Sequence, residues 1–329
     1  METTADHQHL GEVFRQEPPV TACTSVVSRL CESPKPDGLH YIDMEKVDGV
    51  WYMKFDAVDD MAAHLREVRS LRMRHDDVIT CGFARSGNHW CFELVNMVLN
   101  QTTEFKTDYF STNLLDIPGN LASIPSPRNL VTHLRPRYFP AEVIKNNTKL
   151  IYIIRNPKDV LVSMYHLNSR FSYDSWRFRG SWEEFLKFHL AGDLPMGHWW
   201  DHVKTVERFA KAHPNLPVHI FQYEKVRAQP VEEIRKLCHF LGHSDALAEK
   251  IALVTRFENM KKKLGKITAV EKLVFSENGV VLRKGEIGDW KNFFSREQSE
   301  RFDRAFEANT VGSEWAKRVR KYMDLPHAS

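Results

Sequence analysis

Four short apolar runs, residues 77–83, Asn129 to His133, Lys149 to Ile154 and Val218 to Tyr223, are separated by longer stretches with helical periodicity. Runs of this length bounded by polar residues read as buried strands. Their alternation with helices predicts an α/β fold, a single domain whose central parallel sheet has helices on both faces. Trp90, Leu94, Met97 and Val98 stand at i, i+4, i+7 and i+8, one apolar face of a helix that follows the first strand. Asn156-Pro157, directly after the third strand, pairs a capping residue with a first-turn proline and starts another helix. Ligands of such sheets bind beyond the carboxyl ends of the strands, so the polar residues there deserve the closest reading.

Residues 1–48 lack sustained periodicity and carry Pro18-Pro19, Ser33-Pro34-Lys35-Pro36 and Asp37-Gly38. A partly ordered N-terminal extension is expected there, with the folded domain over 49–329. Residues 265–290, with Gly265, Asn278-Gly279, Gly285 and Gly288, read as a long loop of the kind that is usually functional or mobile. No internal repeat or Gly/Ser linker divides the rest, and the C-terminal third is rich in helix.

The chain has 329 residues, 42% of them hydrophobic, and no apolar run near the roughly 20 residues that span a bilayer. A soluble protein without a membrane partner is expected. Its start, Met-Glu-Thr-Thr-Ala-Asp, has neither a basic flank nor an apolar centre, which makes the cytoplasm the expected location. A net charge of +3 is too small for bulk attraction to nucleic acid, so anion recognition has to be local. Lys261-Lys262-Lys263 reads as a solvated face. The cysteines, Cys23, Cys31, Cys81, Cys91 and Cys238, are odd in number and lack metal-ligand spacing, as reduced thiols would.

Gly82-Phe83-Ala84-Arg85-Ser86-Gly87-Asn88-His89-Trp90 joins the first strand to its helix. Small residues there let backbone N–H groups converge on an anion, the helix adds its first-turn amides, and Arg85 adds a charge. A phosphate-cradling turn for an anionic nucleotide follows; plain helix capping is the rival reading. Arg155 at the end of the third strand and Ser163 two helical turns later place a guanidinium and a hydroxyl for one phosphate. His133, ending the second strand, has the chemistry of a general base at the same edge, though a packed histidine would read alike. Arg283-Lys284-Gly285 to Asn292 has the composition of a lid over a polyanion, and equally of a solvated turn.

Together these segments resemble the cytosolic sulfotransferase family over roughly residues 49 to 325. The family's phosphosulfate loop, Tyr-Pro-Lys-Ser-Gly-Thr-Thr-Trp, matches Phe83 to Trp90, and its Lys-Thr-His-Leu element matches Val131 to Leu134. Its Arg-Asn-Pro-Lys-Asp element and later serine match Arg155 to Asp159 with Ser163. Gln222-Tyr223-Glu224, Thr255-Arg256-Phe257 with Met260, and the lid at residues 283–292 complete the series.

The resemblance implies 3′-phosphoadenosine 5′-phosphosulfate (PAPS) as co-substrate, 3′-phosphoadenosine 5′-phosphate (PAP) as product, and no metal. It implies that Arg85, Ser86, Gly87, Asn88, His89 and Trp90 cradle the phosphosulfate. Trp90, Tyr223 and Phe257, with Thr255 and Met260, would surround the adenine. Arg155, Ser163, Arg283, Lys284 and the Gly285 amide would hold the 3′-phosphate. His133 is the implied general base, with Arg85 and Ser163 completing the catalytic set. The chain lacks G-x-x-x-x-G-K-[ST], which argues against an ATP- or GTP-hydrolysing P-loop enzyme.

Several positions depart from the family. Arg85 replaces the loop lysine and keeps the charge, but a guanidinium is too weak an acid to protonate a leaving group. Val131 replaces a second lysine; a protonated His89 would partly substitute for it. Asn88 and His89 stand where the family has threonines. The alternative is therefore a catalytically impaired module that binds PAPS or PAP. The dimer segment appears as Lys291…Ser295-Arg296…Glu300 with its two central residues changed, so a homodimer is not assumed. His198 and His202 have the i, i+4 spacing of a metal pair, but the family carries a similar segment without metal. Phe105, Tyr109, Phe110, Phe171 and Tyr173, in loops over 104–125 and 164–182, suggest a small lipophilic acceptor such as a phenol, sterol, alcohol or amine, and core packing would explain them equally well.

Overall fold

The computed structural model describes residues 44–53, 58, 60–106, 113–171, 177–264 and 282–324. The chain opens with β1 (Met44–Val47), β2 (Val50–Met53), α1 (Met61–Ser70), β3 (Val78–Gly82), α2 (Asn88–Leu99), β4 (Asn129–Thr132), α3 (Glu142–Lys145) and β5 (Lys149–Ile154). It continues with α4 (Pro157–Asn168), α5 (Trp182–Ala191), α6 (Trp199–Ala212), β6 (Val218–Gln222) and α7 (Tyr223–Ala228). Five helices follow: α8 (Pro230–Leu241), α9 (Ala248–Val254), α10 (Phe257–Leu264), α11 (Arg296–Asn309) and α12 (Glu314–Arg320).

The four apolar runs are the four strands of a parallel sheet, ordered β4-β3-β5-β6. β3 lies inside it, with Val78 beside Asn129 on one side and Lys149 on the other. The chain leaves β3 for β4 and then crosses back over it to β5, so the carboxyl ends of β4, β3 and β5 stand side by side. Those ends carry His133, the loop after Gly82, and Arg155.

Successive side chains of β5 serve two cores. Leu150, Tyr152 and Ile154 pack with α1, α4, α5, α6, α11 and α12, whereas Ile151 and Ile153 pack with α2, α8 and α9. A strand buried on both faces needs a continuous apolar run, as Leu150 to Ile154 provides. α2 departs from the expected single apolar face, for every residue from Asn88 to Leu99 is buried. Phe92, on the other side of the helix, packs against Leu114 and Val131, so the four-residue stripe is only part of its packed surface.

β1 and β2 form an antiparallel hairpin turning at Asp48-Gly49, both at positive φ. It straddles residue 48, where the sequence places the end of the extension; residues 1–43, with Cys23 and Cys31, and 265–281 of the expected loop lie outside the described residues. Cys81, Cys91 and Cys238 are free and buried. Lys261, Lys262 and Lys263 are exposed, as a solvated face would be. In the altered dimer segment, Ser295 caps α11 and Arg296 pairs with Glu300 of its own helix at 3.0 Å. No described helix is long and apolar enough to cross a membrane.

Candidate active site

The loop after β3 is shaped by backbone rather than by side-chain capping. A Cβ on Gly82 would lie 2.7 Å from Asn88 Oδ1 and 2.8 Å from Ile153 Cβ, so only glycine lets the loop fold back on the sheet. Asn88 Nδ2 and the Ser86 N–H both donate to the Phe83 carbonyl, at 3.0 and 3.1 Å. Arg85 and Gly87 take left-handed conformations, φ 67° and 108°, and Gly87 presses on the Tyr223 ring, where a Cβ would approach to 2.7 Å. The N-cap of α2 is Gly87, which makes no side-chain cap hydrogen bond, so side-chain capping does not account for this turn.

Arg85, turned outward by its φ, donates from Nε to Ser163 Oγ at 3.0 Å. Arg155 Nη1 donates to the Arg85 carbonyl at 3.0 Å, and its guanidinium lies 4.2 Å over the Tyr223 ring. Tyr223 Oη donates in turn to the Gly285 carbonyl at 3.2 Å. Gly285 has φ 68° and packs so tightly on Phe257 that a Cβ would come within 2.3 Å of its ring.

The lid is clamped from inside. Arg283 and Lys284 both donate to the buried Asp289, Lys284 at 2.7 Å, and Asn292 adds a bond at 2.9 Å. Burial would raise the Asp289 carboxyl, but these hydrogen bonds outweigh it and hold the group down at about 2. Asp159 accepts from the Gly288 and Trp290 amides at 2.8 and 3.0 Å, tying the lid to the first turn of α4. Beside it Lys158 lies 4.3 Å from the Trp290 ring. Glu224, at the start of α7, accepts from the Asn156 N–H at 2.7 Å, yet burial pushes its carboxyl up to about 7.

At the end of β4, the His133 N–H meets both oxygens of Asp116 at 3.1 Å, and ring Nδ1 is 3.1 Å from Asp116 Oδ1. With Nδ1 donating to the carboxylate, Nε2 carries the lone pair of a base. Asp116 reaches this place because Leu114 bridges Val131 and the Leu115 N–H donates to the Val131 carbonyl at 2.8 Å. Sequence reading missed Asp116: it is 17 residues from its partner, and no local pattern marks the pairing. The His133 carbonyl accepts from His202 Nε2 at 3.0 Å, while His202 Nδ1 accepts from Tyr152 Oη at 3.0 Å. His198 spends its ring nitrogens on Asp201 and the Leu190 carbonyl. Both histidines of the suspected pair are thus structural, and no group of three metal-ligating side chains occurs among the described residues.

These parts converge on one cavity of about 300 Å³. Arg85, Gly87, Asn88, His89 and Trp90 line it from the loop, His133, Arg155 and Ser163 from the strand ends and α4. Tyr223, Thr255, Phe257 and Met260 line it from the C-terminal helices, and Arg283, Lys284 and Gly285 from the lid. Ser86 is the exception: its side chain is fully buried, its amide is spent on Phe83, and it does not line the cavity. His89 also needs correction in one respect. Burial, with Arg85 beside it, pushes its ring down to about 3, so it is neutral at pH 7 and replaces no lysine charge. Val131 is fully buried against Phe92 and Leu114.

The remaining lining went unread in the sequence. It includes Asp116, Tyr52, Arg227 one helical turn after Tyr223, and Met53, Met61, Met164 and Met196. Phe171 lines the cavity, whereas Phe105 packs against the α2 core. Tyr109, Phe110 and Tyr173 lie outside the described residues.

A family model described as a sulfotransferase domain matches residues 75–320. Sulfotransferase 1B1 of Canis lupus familiaris is 32% identical over 269 residues, covering 77% of this chain and 89% of that protein. Sulfotransferase 1C2 of Homo sapiens is 30% identical over 263 residues, covering 75% and 87%. Among solved structures, mouse sulfotransferase SULT7A1 complexed with PAP is similar with a TM-score of 0.70 and 29% identity, over 85% of this chain and 99% of that one. Retinol dehydratase in complex with androsterone and inactive cofactor PAP shares the fold, with a TM-score of 0.71 at 18% identity over 84% and 92% of the two chains.

Proposed function

The chain belongs to the sulfotransferase family, and from that premise we propose that it transfers a sulfuryl group from PAPS to the hydroxyl or amine of a small lipophilic acceptor. The observation that carries this proposal is the run of contacts from Ser163 through Arg85, Arg155 and Tyr223 to Gly285, which joins three separate strand ends and the lid around one cavity. The cytoplasm is the location that goes with this function.

Arg155, Arg283 and Lys284 offer fixed cations to a 3′-phosphate, the group that distinguishes PAPS from ATP. Trp90 and Phe257 offer aromatic faces to a base. Tyr223, with Arg155 over its ring, acts as a post between the loop and the lid. The uncapped amides of α2 and the Arg85 guanidinium face the 5′ end and stabilise the charge that builds there during transfer. His133 Nε2 takes the acceptor proton, and Asp116 fixes the ring and steadies the imidazolium that results. Ser163 holds Arg85 in place. With His133 paired to its carboxylate and the lid clamped, the rival of a nucleotide-binding module without turnover gains no support.

The test uses labelled PAPS with a panel of phenols, alcohols and amines. His133→Ala is expected to lower turnover by about 10²–10⁴-fold while leaving the calorimetric affinity for PAP unchanged. Undiminished transfer by that variant would remove His133 from the mechanism, and a folded protein that fails to bind PAP would remove the nucleotide site.

A further inference from the structure

Two buried polar groups near His133 are left unsatisfied by their surroundings. Tyr52, in β2, lines the cavity at 6% exposure, and its hydroxyl has no hydrogen-bond partner among the described residues. Arg135, two residues after His133, is 9% exposed, and its Nε likewise lacks an acceptor. A buried hydroxyl without a partner costs stability, and its persistence in a ligand cavity calls for a ligand atom or a water.

The surroundings narrow what that atom is. The Met196 N–H donates to the Trp51 carbonyl at 2.7 Å, which sets the apolar Met196 beside β2. Behind it, a Cβ on Gly197 would lie 3.6 Å from Arg135 Nη2, so a guanidinium stands directly behind this wall. Burial raises the Tyr52 phenol well above its usual range and keeps it protonated; Asp116 and Asp48 push the same way, and Arg135 and Arg137 pull against them. A protonated phenol buried without an acceptor is a hydrogen-bond donor, suited to a ligand oxygen.

We propose that Tyr52 is a specificity residue of the acceptor site, its hydroxyl donating to a carbonyl-type oxygen that the acceptor carries in addition to the hydroxyl presented to His133. The acceptor class is thereby narrowed from lipophilic alcohols and phenols to those with a second, hydrogen-bond-accepting oxygen. This deepens the sulfotransferase assignment and rests on it.

The experiment measures binding of matched phenols to the PAP complex by calorimetry: 4-hydroxyacetophenone against 4-ethylphenol, and 6-acetyl-2-naphthol against 6-ethyl-2-naphthol for longer reach. In at least one pair, Tyr52→Phe is expected to weaken the carbonyl-bearing phenol about tenfold and its alkyl partner less than twofold. The variant is also expected to melt no lower than the wild type, since it removes an unpartnered hydroxyl. Equal weakening within both pairs, no change in either, or a clear fall in melting temperature would overturn the proposal, the last by showing that the hydroxyl has a structural partner. Sulfation of the same four phenols by the wild-type protein reports on the parent assignment separately.

Discussion

At its nucleotide end the cavity is walled by turns and ion pairs: Arg85 and Gly87 in left-handed conformations, Gly285 jammed against Phe257, and two lid cations gripping Asp289. At the end proposed for the acceptor the walls are flexible side chains, with Met53, Met61 and Met164 supplied by β2, α1 and α4 and Met196 by the loop before α6. The contrast follows from what each end has to recognise. A polyanion is bound by dipoles and charges fixed in direction, and few residue types keep a backbone in the required shape. An apolar surface asks only for volume and contact, which methionine fills adaptably and many other residues would fill nearly as well.

The largest test of this contrast is Gly285→Ala. A Cβ there has to displace the Phe257 ring at a φ that disfavours side chains, and PAP affinity is expected to fall about 10- to 100-fold by titration calorimetry. An unchanged affinity would mean that the lid's shape is not what binds.

Next comes Glu224, at the foot of Arg155. Its folded value of about 7 lies above its ordinary value, so between pH 4.5 and 7 the folded protein holds a proton that the unfolded chain has lost. Stability must therefore fall as pH rises through that window, by an amount on the order of 1–3 kcal/mol. Glu224→Gln keeps an acceptor for the Asn156 N–H and removes the cost of ionisation. Its melting temperature is expected to exceed that of the wild type at pH 8 and to converge with it near pH 5; parallel curves would refute the assignment.

The smallest effects belong to the acceptor end. Met61→Leu and Met164→Leu conserve volume, and each is expected to alter kcat/KM for phenols by no more than about threefold while leaving PAP binding unchanged. A change of tenfold or more, measured across slim and bulky acceptors, would show that this end is as sharply shaped as the other.

The same contrast governs what could be read in the chain. Strand runs such as Leu150 to Ile154 are legible because burial on both faces forces a local pattern. The loop, Arg155 to Ser163 and the lid are legible because fixed backbone geometry leaves short motifs. Asp116 and Tyr52 left no such trace, since each acquires its place through pairing with distant segments, β4 for one and the Met196 loop for the other. Ser86 shows a related limit: a motif says which residues form a turn, not which of them reach the cavity wall. The neutral state of His89 depends on burial by the whole α2 packing, which local sequence does not encode.

Lys158, buried under Trp290, sends its ammonium to Ser299 Oγ at 2.7 Å and Asp303 at 2.8 Å, both on α11. Asn156 Nδ2 donates to the Tyr322 carbonyl at 3.2 Å, and Gln222 Nε2 to the Arg318 carbonyl at 3.0 Å. The C-terminal segment therefore acts as a keystone for the strand ends, bonded to the neighbours of Arg155 and Tyr223. For protein engineering this means the phosphate grip is not a portable cassette: a graft cut after residue 292 would carry every nucleotide-facing side chain into its new host and leave behind the masonry that keeps them aligned.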